Sequence, residues 1–190
     1  MAFDFVEDAD FMRLDRFDFL RQREEKLFEL SGGSFVLAIW DRQAEKLDKG
    51  FFLTRFRTLE GNWITRWYSI EDRHKVVTDP IPEDCDAYFS PVCYRRKRAK
   101  QDYVLPGVWL FADMDYIHPK YSPVTPTVSW NTSEDKWQAM WLIDRVMEPP
   151  EMRHLNRATC HAAGADPGTW NINRLLRIPG TENMKWRRTR

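Results

Sequence analysis

The ten residues VWLFADMDYI, 108–117, constrain this chain more than any other stretch. Apolar residues fill the run apart from Asp113 and Asp115, so it reads as a buried strand with two acids one residue apart. Side chains alternate faces along a strand, which places both carboxylates on one side and Ala112 and Met114 on the other. Two charges so close repel each other and lose solvation inside a protein. A positive partner must offset that cost: a divalent cation, or a strand end open to water.

The rest of the chain supplies the setting. Its 190 residues are 43% hydrophobic and 14% aromatic with nine tryptophans, enough for one domain or two small lobes sharing a core. No stretch reaches the roughly 18 consecutive apolar residues of a membrane helix. The start MAFDFVEDAD lacks the pattern of a signal peptide, so the expectation is a cytoplasmic protein with no membrane partner. Cys85, Cys93 and Cys160 form no C-x-x-C pair and read as free thiols; a zinc site from them and His161 fits no standard spacing.

Formal net charge is zero, but charge is unevenly spread. Residues 1–30 carry nine acids against five bases, whereas residues 174–190 carry six bases and only Glu182 as an acid. A second basic run, YRRKRAK, occupies 94–100. Such runs are commonly solvated loops. Arg95, Arg96, Lys97 and Arg98 are nonetheless candidates to follow a nucleic-acid backbone, since each neutralised phosphate adds salt-dependent affinity.

Hydrophobic periodicity predicts a helix over FMRLDRFDFLRQREEKLFEL (11–30), stopped by SGG. Strand-like runs follow at SFVLAIWD, GFFLTRFR, NWITRWYSI and AYFSPVCY, and then the acidic strand. PTVSWNT and DKWQAMWLID read as a hairpin turning near SED. EPPEMRHLNRATCHAAGAD begins with prolines suited to a helix start, and RLLRIPG reads as a final short strand. The order implies an α+β sheet protein.

A D-x-D pair alone also occurs in glycosyltransferases, nucleases and polymerases. Asp166, in GADPGTW, follows the predicted helix and is positioned to return beside the pair. Three converging carboxylates would suit two magnesium or manganese ions, which take hard oxygen ligands. Arg174 and Arg177 offer planar donor forks for phosphate, and Lys185 a point charge. Arg177, between leucine and isoleucine, requires a partner, either a structural carboxylate or a ligand phosphate. Trp137, Trp141 and Trp170 could stack bases, though core packing is the default for a tryptophan; His118, His154 and His161 show no paired spacing.

LFADMDYI, then VSWNTSEDKWQAMWLI, then GADPGTWNINRLLRIPGTENMKW together resemble the archaeo-eukaryotic primase superfamily. The likeness is to its primase-polymerase and RepB-type primase domains of plasmids, phages and integrated elements. It spans residues 88–186, and the R-x-P-G-T-x-N-x-K ending is its most specific piece. It implies a mixed-sheet α+β fold with an RRM-like catalytic core over 88–190 and a smaller N-terminal α/β lobe over 1–87, in a single catalytic domain. It implies a DNA primase or primase-polymerase in which Asp113, Asp115 and Asp166 bind two Mg2+ or Mn2+ ions. Arg174, Arg177 and Lys185 would hold the nucleoside triphosphate. A single-stranded DNA template is the implied partner, with a helicase or DNA-binding region if the chain is part of a longer protein. The family's second motif, a small residue, any residue, then histidine, is altered: Lys136 and Gln138 stand at its two fixed places. Gln138 would line the nucleotide pocket as a neutral group. A non-catalytic single-stranded nucleic-acid-binding module is the alternative. A nuclease or relaxase is weakened by the lack of a His-x-His pair.

Overall fold

The computed structural model describes residues 30–184. Of the helix expected over 11–30, all but Leu30 lies outside them, as does Lys185. Helix α1 (Gly32–Ala44) leads into a hairpin of β1 (Phe51–Thr58) and β2 (Trp63–Ser69), a 3-10 turn (Arg73–Val77), and β3 (Cys85–Phe89). Then come β4 (Gly107–Met114), β5 (Val128–Ser133), β6 (Lys136–Met147), helix α2 (Pro149–Ala162) and the two-residue β7 (Leu176–Arg177). The strands make two sheets, β2-β1-β3-β7 and β4-β6-β5, with every named pairing antiparallel. The fold is α+β, as expected.

SFVLAIWD is a correction: it lies in α1, not in a strand. Over eight residues, an apolar run fits either period. Phe35, Val36, Ile39 and Trp40 fall on one helical stripe, and that stripe is buried between the two sheets. Phe35 packs edge-on against Phe89 of the first sheet and Trp130 of the second, with ring centres 5.9 and 5.0 Å away. Trp40 stacks on Phe52 at 4.9 Å, and its Nε1 donates to the Ser90 carbonyl at 2.7 Å. The SGG that should end a helix begins this one. A Cβ on Gly33 would stand 2.2 Å from the Val76 carbonyl oxygen, so glycine there lets the helix approach the 3-10 turn.

The second sheet follows the sequence reading closely. Asp135 closes the β5–β6 hairpin with a φ of 55°, a left-handed conformation that Asp tolerates. Pro149 and Pro150 open α2, where their missing N–H groups cost nothing. Every residue of β4 is buried, although β4 is an edge strand. Its free edge is covered by two side chains and one backbone N–H. Gln43 of α1 accepts from the Val108 N–H at 3.1 Å, and Asn156 of α2 accepts from the Phe111 N–H at 2.7 Å. The Asp166 N–H donates to the Asp113 carbonyl at 2.9 Å. Gln43 and Asn156 are both fully buried.

Asn156→Ala would leave the Phe111 N–H without a partner in the core, a loss of about 1–3 kcal/mol. Chemical denaturation should show a lower midpoint with an unchanged slope.

Candidate active site

β4 delivers Asp113 to the face of the second sheet on which β6 presents Gln138 and β5 presents Trp130, the three standing in one cross-strand row. Strand β4 ends at Met114, and Asp115 lies just beyond it. Asp115 forms an ion pair at 3.1 Å with Lys136, which is two residues before Gln138 on β6. The two acids therefore lie towards one face, as the alternation predicts.

Both carboxylates have partners from within the chain. Asp113 is 8% exposed; its Oδ1 accepts from Gln138 Nε2 at 2.7 Å, and its Oδ2 is bonded by Arg174. Among the described residues, the cations paired with the two acids are Arg174 and Lys136. Arg174 reaches Asp113 from the turn before β7, with its own Nε buried and without a hydrogen-bond partner. That turn is tied to the basic loop: Gln101 Nε2 donates to Asn171 Oδ1 at 2.9 Å, and Asn173 Nδ2 to the Ala99 carbonyl at 3.3 Å.

Asp166 sits beside Asp113 through its backbone, but its Oδ1 accepts from the Gly168 N–H at 2.9 Å within its own turn. Among the described residues, no three His, Cys, Asp or Glu side chains come together in a group that could hold a metal ion. The donors that do share a face, Asp113 and Asp115, are hard carboxylates, which fit a divalent cation of the magnesium type in kind.

Gln138 is 8% exposed and engaged at both ends. Besides donating to Asp113, it accepts from the Arg177 N–H at 2.8 Å. Trp130 Nε1 donates to the Arg177 carbonyl at 3.1 Å. Two side chains of the second sheet therefore grip the backbone of β7, which is itself a strand of the first sheet. Arg177 has the structural partner that its apolar setting demanded. Its guanidinium donates to Asp86 at 3.0 Å and to the Tyr88 hydroxyl at 3.2 Å, and burial lowers its pKa. Sequence reasoning did not single out Asp86, Tyr88, Gln43 or Asn156. The alternation in CDAYF, which sets Asp86 and Tyr88 on one strand face, was the available signal for the first two.

Arg95, Arg96, Lys97 and Arg98 are exposed on the loop between β3 and β4. Arg96 lies over the Tyr103 ring at 5.6 Å and Lys97 over the Phe51 ring at 5.4 Å. Trp141 is buried; Trp137 packs on His118 at 4.5 Å, and Arg157 lies over Trp170 at 5.5 Å. The three cysteines are free and buried, and burial pushes the Cys160 thiol up to about 11 and the Cys93 thiol up to about 12. Among the described residues, no helix is long and apolar enough to cross a membrane.

Gln138→Ala strands the Arg177 N–H and one Asp113 oxygen and should cost about 1–3 kcal/mol. Thermal unfolding of the variant, followed by circular dichroism, measures that loss.

The family profile described as the RepB DNA-primase N-terminal domain matches residues 56–190. Among solved structures, the AEP domain of the cyanophage S-2L primase-polymerase is similar with a TM-score of 0.57 at 12% identity, over 78% of this chain and 80% of that one. The primase RepB′ is similar with a TM-score of 0.50 at 16% identity, over 78% of this chain and 51% of that one. At these identities the likeness is one of fold. No curated protein matches the chain significantly.

Proposed function

The chain belongs to the RepB DNA-primase N-terminal domain family, and from that premise we propose that it is a primase-type nucleotidyltransferase that extends or begins a strand on a single-stranded DNA template. The observation that carries the proposal is the placement of Asp113 and Asp115. They lie towards one face of a sheet, at the end of a strand buried throughout, with a phosphate-compatible arginine bonded to the first of them.

The reaction joins a 3′-hydroxyl to the α-phosphate of an incoming nucleoside triphosphate and releases pyrophosphate. Mg2+ or Mn2+, when bound, would supply charge stabilisation for the entering and leaving oxygens. Asp113 and Asp115 are the residues to hold such ions, with Asp166 as the neighbouring third acid once its carboxylate leaves its own turn. Arg174 then exchanges a carboxylate for the triphosphate, two ligands that its planar fork binds by the same geometry. Gln138 serves this site by fixing Asp113 and the β7 backbone. Arg177, held by Asp86 and Tyr88, builds the adjoining wall. Lys185, outside the described residues, is the further candidate for the phosphates. Arg95, Arg96, Lys97 and Arg98 would meet the nucleic-acid backbone, a role supported by the bonds between their loop and the turn that carries Arg174.

One observation favours the non-catalytic alternative: each of the paired aspartates is already neutralised by a cation of the chain itself. A single experiment decides between the two. The double variant Asp113→Asn with Asp115→Asn should reduce incorporation of deoxynucleotides or ribonucleotides on a single-stranded template with Mn2+ to background. Its melting temperature should fall, because Arg174 loses the carboxylate that it bonds, so circular dichroism must show the variant folded at the assay temperature. Undiminished synthesis by the double variant ends the catalytic reading at these residues.

A further inference from the structure

The first sheet has a second face, opposite the one that packs on α1. In its register Trp63 lies opposite Arg57, Arg55 opposite Tyr88, and Tyr88 opposite Arg177, so these side chains point to one side. Phe52, Thr54 and Phe56 alternate with the arginines and are buried. The Arg55 guanidinium lies over the Trp63 indole, 4.4 Å from the ring centre, and Arg57 lies at 5.9 Å. Tyr88 stands 5.8 Å from Trp63, and Arg177 lies over the Tyr88 ring at 5.0 Å. The result is a continuous row of alternating cations and rings.

Two features separate this row from ordinary surface packing. Trp63 is 44% exposed, a large apolar ring left partly open to water. Neither Arg55 nor Arg57 forms an ion pair among the described residues, and Arg55 Nε has no hydrogen-bond partner. Asp86, the acid of the row, is bonded to Arg177 and to the Met184 N–H. A half-exposed indole beside arginines that have no carboxylate partner among the described residues suits an unpaired nucleic-acid strand, since the ring stacks a base and the guanidinium groups meet phosphates. A duplex keeps its base faces stacked inside and cannot use them.

The row also leads to the candidate active site. The Arg177 N–H donates to Gln138, and Gln138 donates to Asp113. We propose that Trp63, Arg55, Arg57 and Tyr88 form a stacking platform for single-stranded nucleic acid on the first sheet, distinct from the basic loop at 95–98. On the primase reading, on which this assignment of the strand rests, the platform guides the template towards Asp113.

The test is fluorescence anisotropy of the full chain with a labelled single-stranded oligonucleotide of about 20 nucleotides, long enough to span a site of this kind. Trp63→Ala should weaken binding by about 5- to 100-fold, and Trp63→Phe should restore most of it. Arg57→Ala should lower the slope of log affinity against log salt by about 0.7. If the parent binds the strand and both alanine variants bind it as tightly, with the same salt slope, the platform is refuted and the primase reading stands. Binding of the matching duplex as tightly as the single strand also refutes it. Failure of the primase reading appears in the incorporation assay, and failure of the platform in the anisotropy of the Trp63→Ala and Arg57→Ala proteins. A parent that binds no single strand overturns both.

Discussion

An edge strand buried on both faces persists only if its unpaired N–H and C=O groups find partners, because each orphan inside a core costs as much as a lost hydrogen bond. Strand β4 is such a strand, and its partners come from three separate parts of the chain: Gln43 on α1, Asn156 on α2, and the Asp166 backbone after α2. Docking of both helices is therefore registered on β4 by specific polar contacts as well as by apolar packing. The acidic pair at the end of the strand inherits that precision. A carboxylate carried on a free loop would have no such reference.

Electrostatics follows the same logic. Asp113 and Asp115 could not share a face near the core without compensation, and Arg174 and Lys136 provide it from two different elements. The Lys136–Asp115 pair is partly exposed and worth little by itself. Its effect is local: it keeps the second carboxylate from adding to the repulsion on the first. Gln138 does for Asp113 what a charged residue would do less well, because one amide donates to a carboxylate and accepts from a backbone N–H at the same time.

The site strand, the β5–β6 hairpin, the proline-led helix and the short last strand were all legible in the sequence. Each carries a strong local signal: alternation, a tight turn, or proline at a helix start. Helix α1 was not, because SFVLAIWD is too short for its period to be read, and Gly32 serves a left-handed backbone conformation and Gly33 a close approach, not a stop. Of the site, the strand face of Asp113 and Asp115 was legible, and so was the need of Arg177 for a partner. The identity of that partner was not. Asp86 is separated from Arg177 by 91 positions, and only the pairing of β3 with β7 brings them together. Asn156 and Gln43 left no mark at all, since a buried amide on a helix looks like any polar residue until the edge it covers is known.

Gln138 stands between a carboxylate and a strand that belongs to the other sheet. A ligand that draws Asp113 away from the glutamine frees Gln138 Nε2, while Gln138 Oε1 and the Trp130 indole keep their hold on the Arg177 backbone. One side-chain amide thus ties the acidic strand of the second sheet to the last strand of the first, and the stability of that tie and the fixing of Asp113 rest on the same residue.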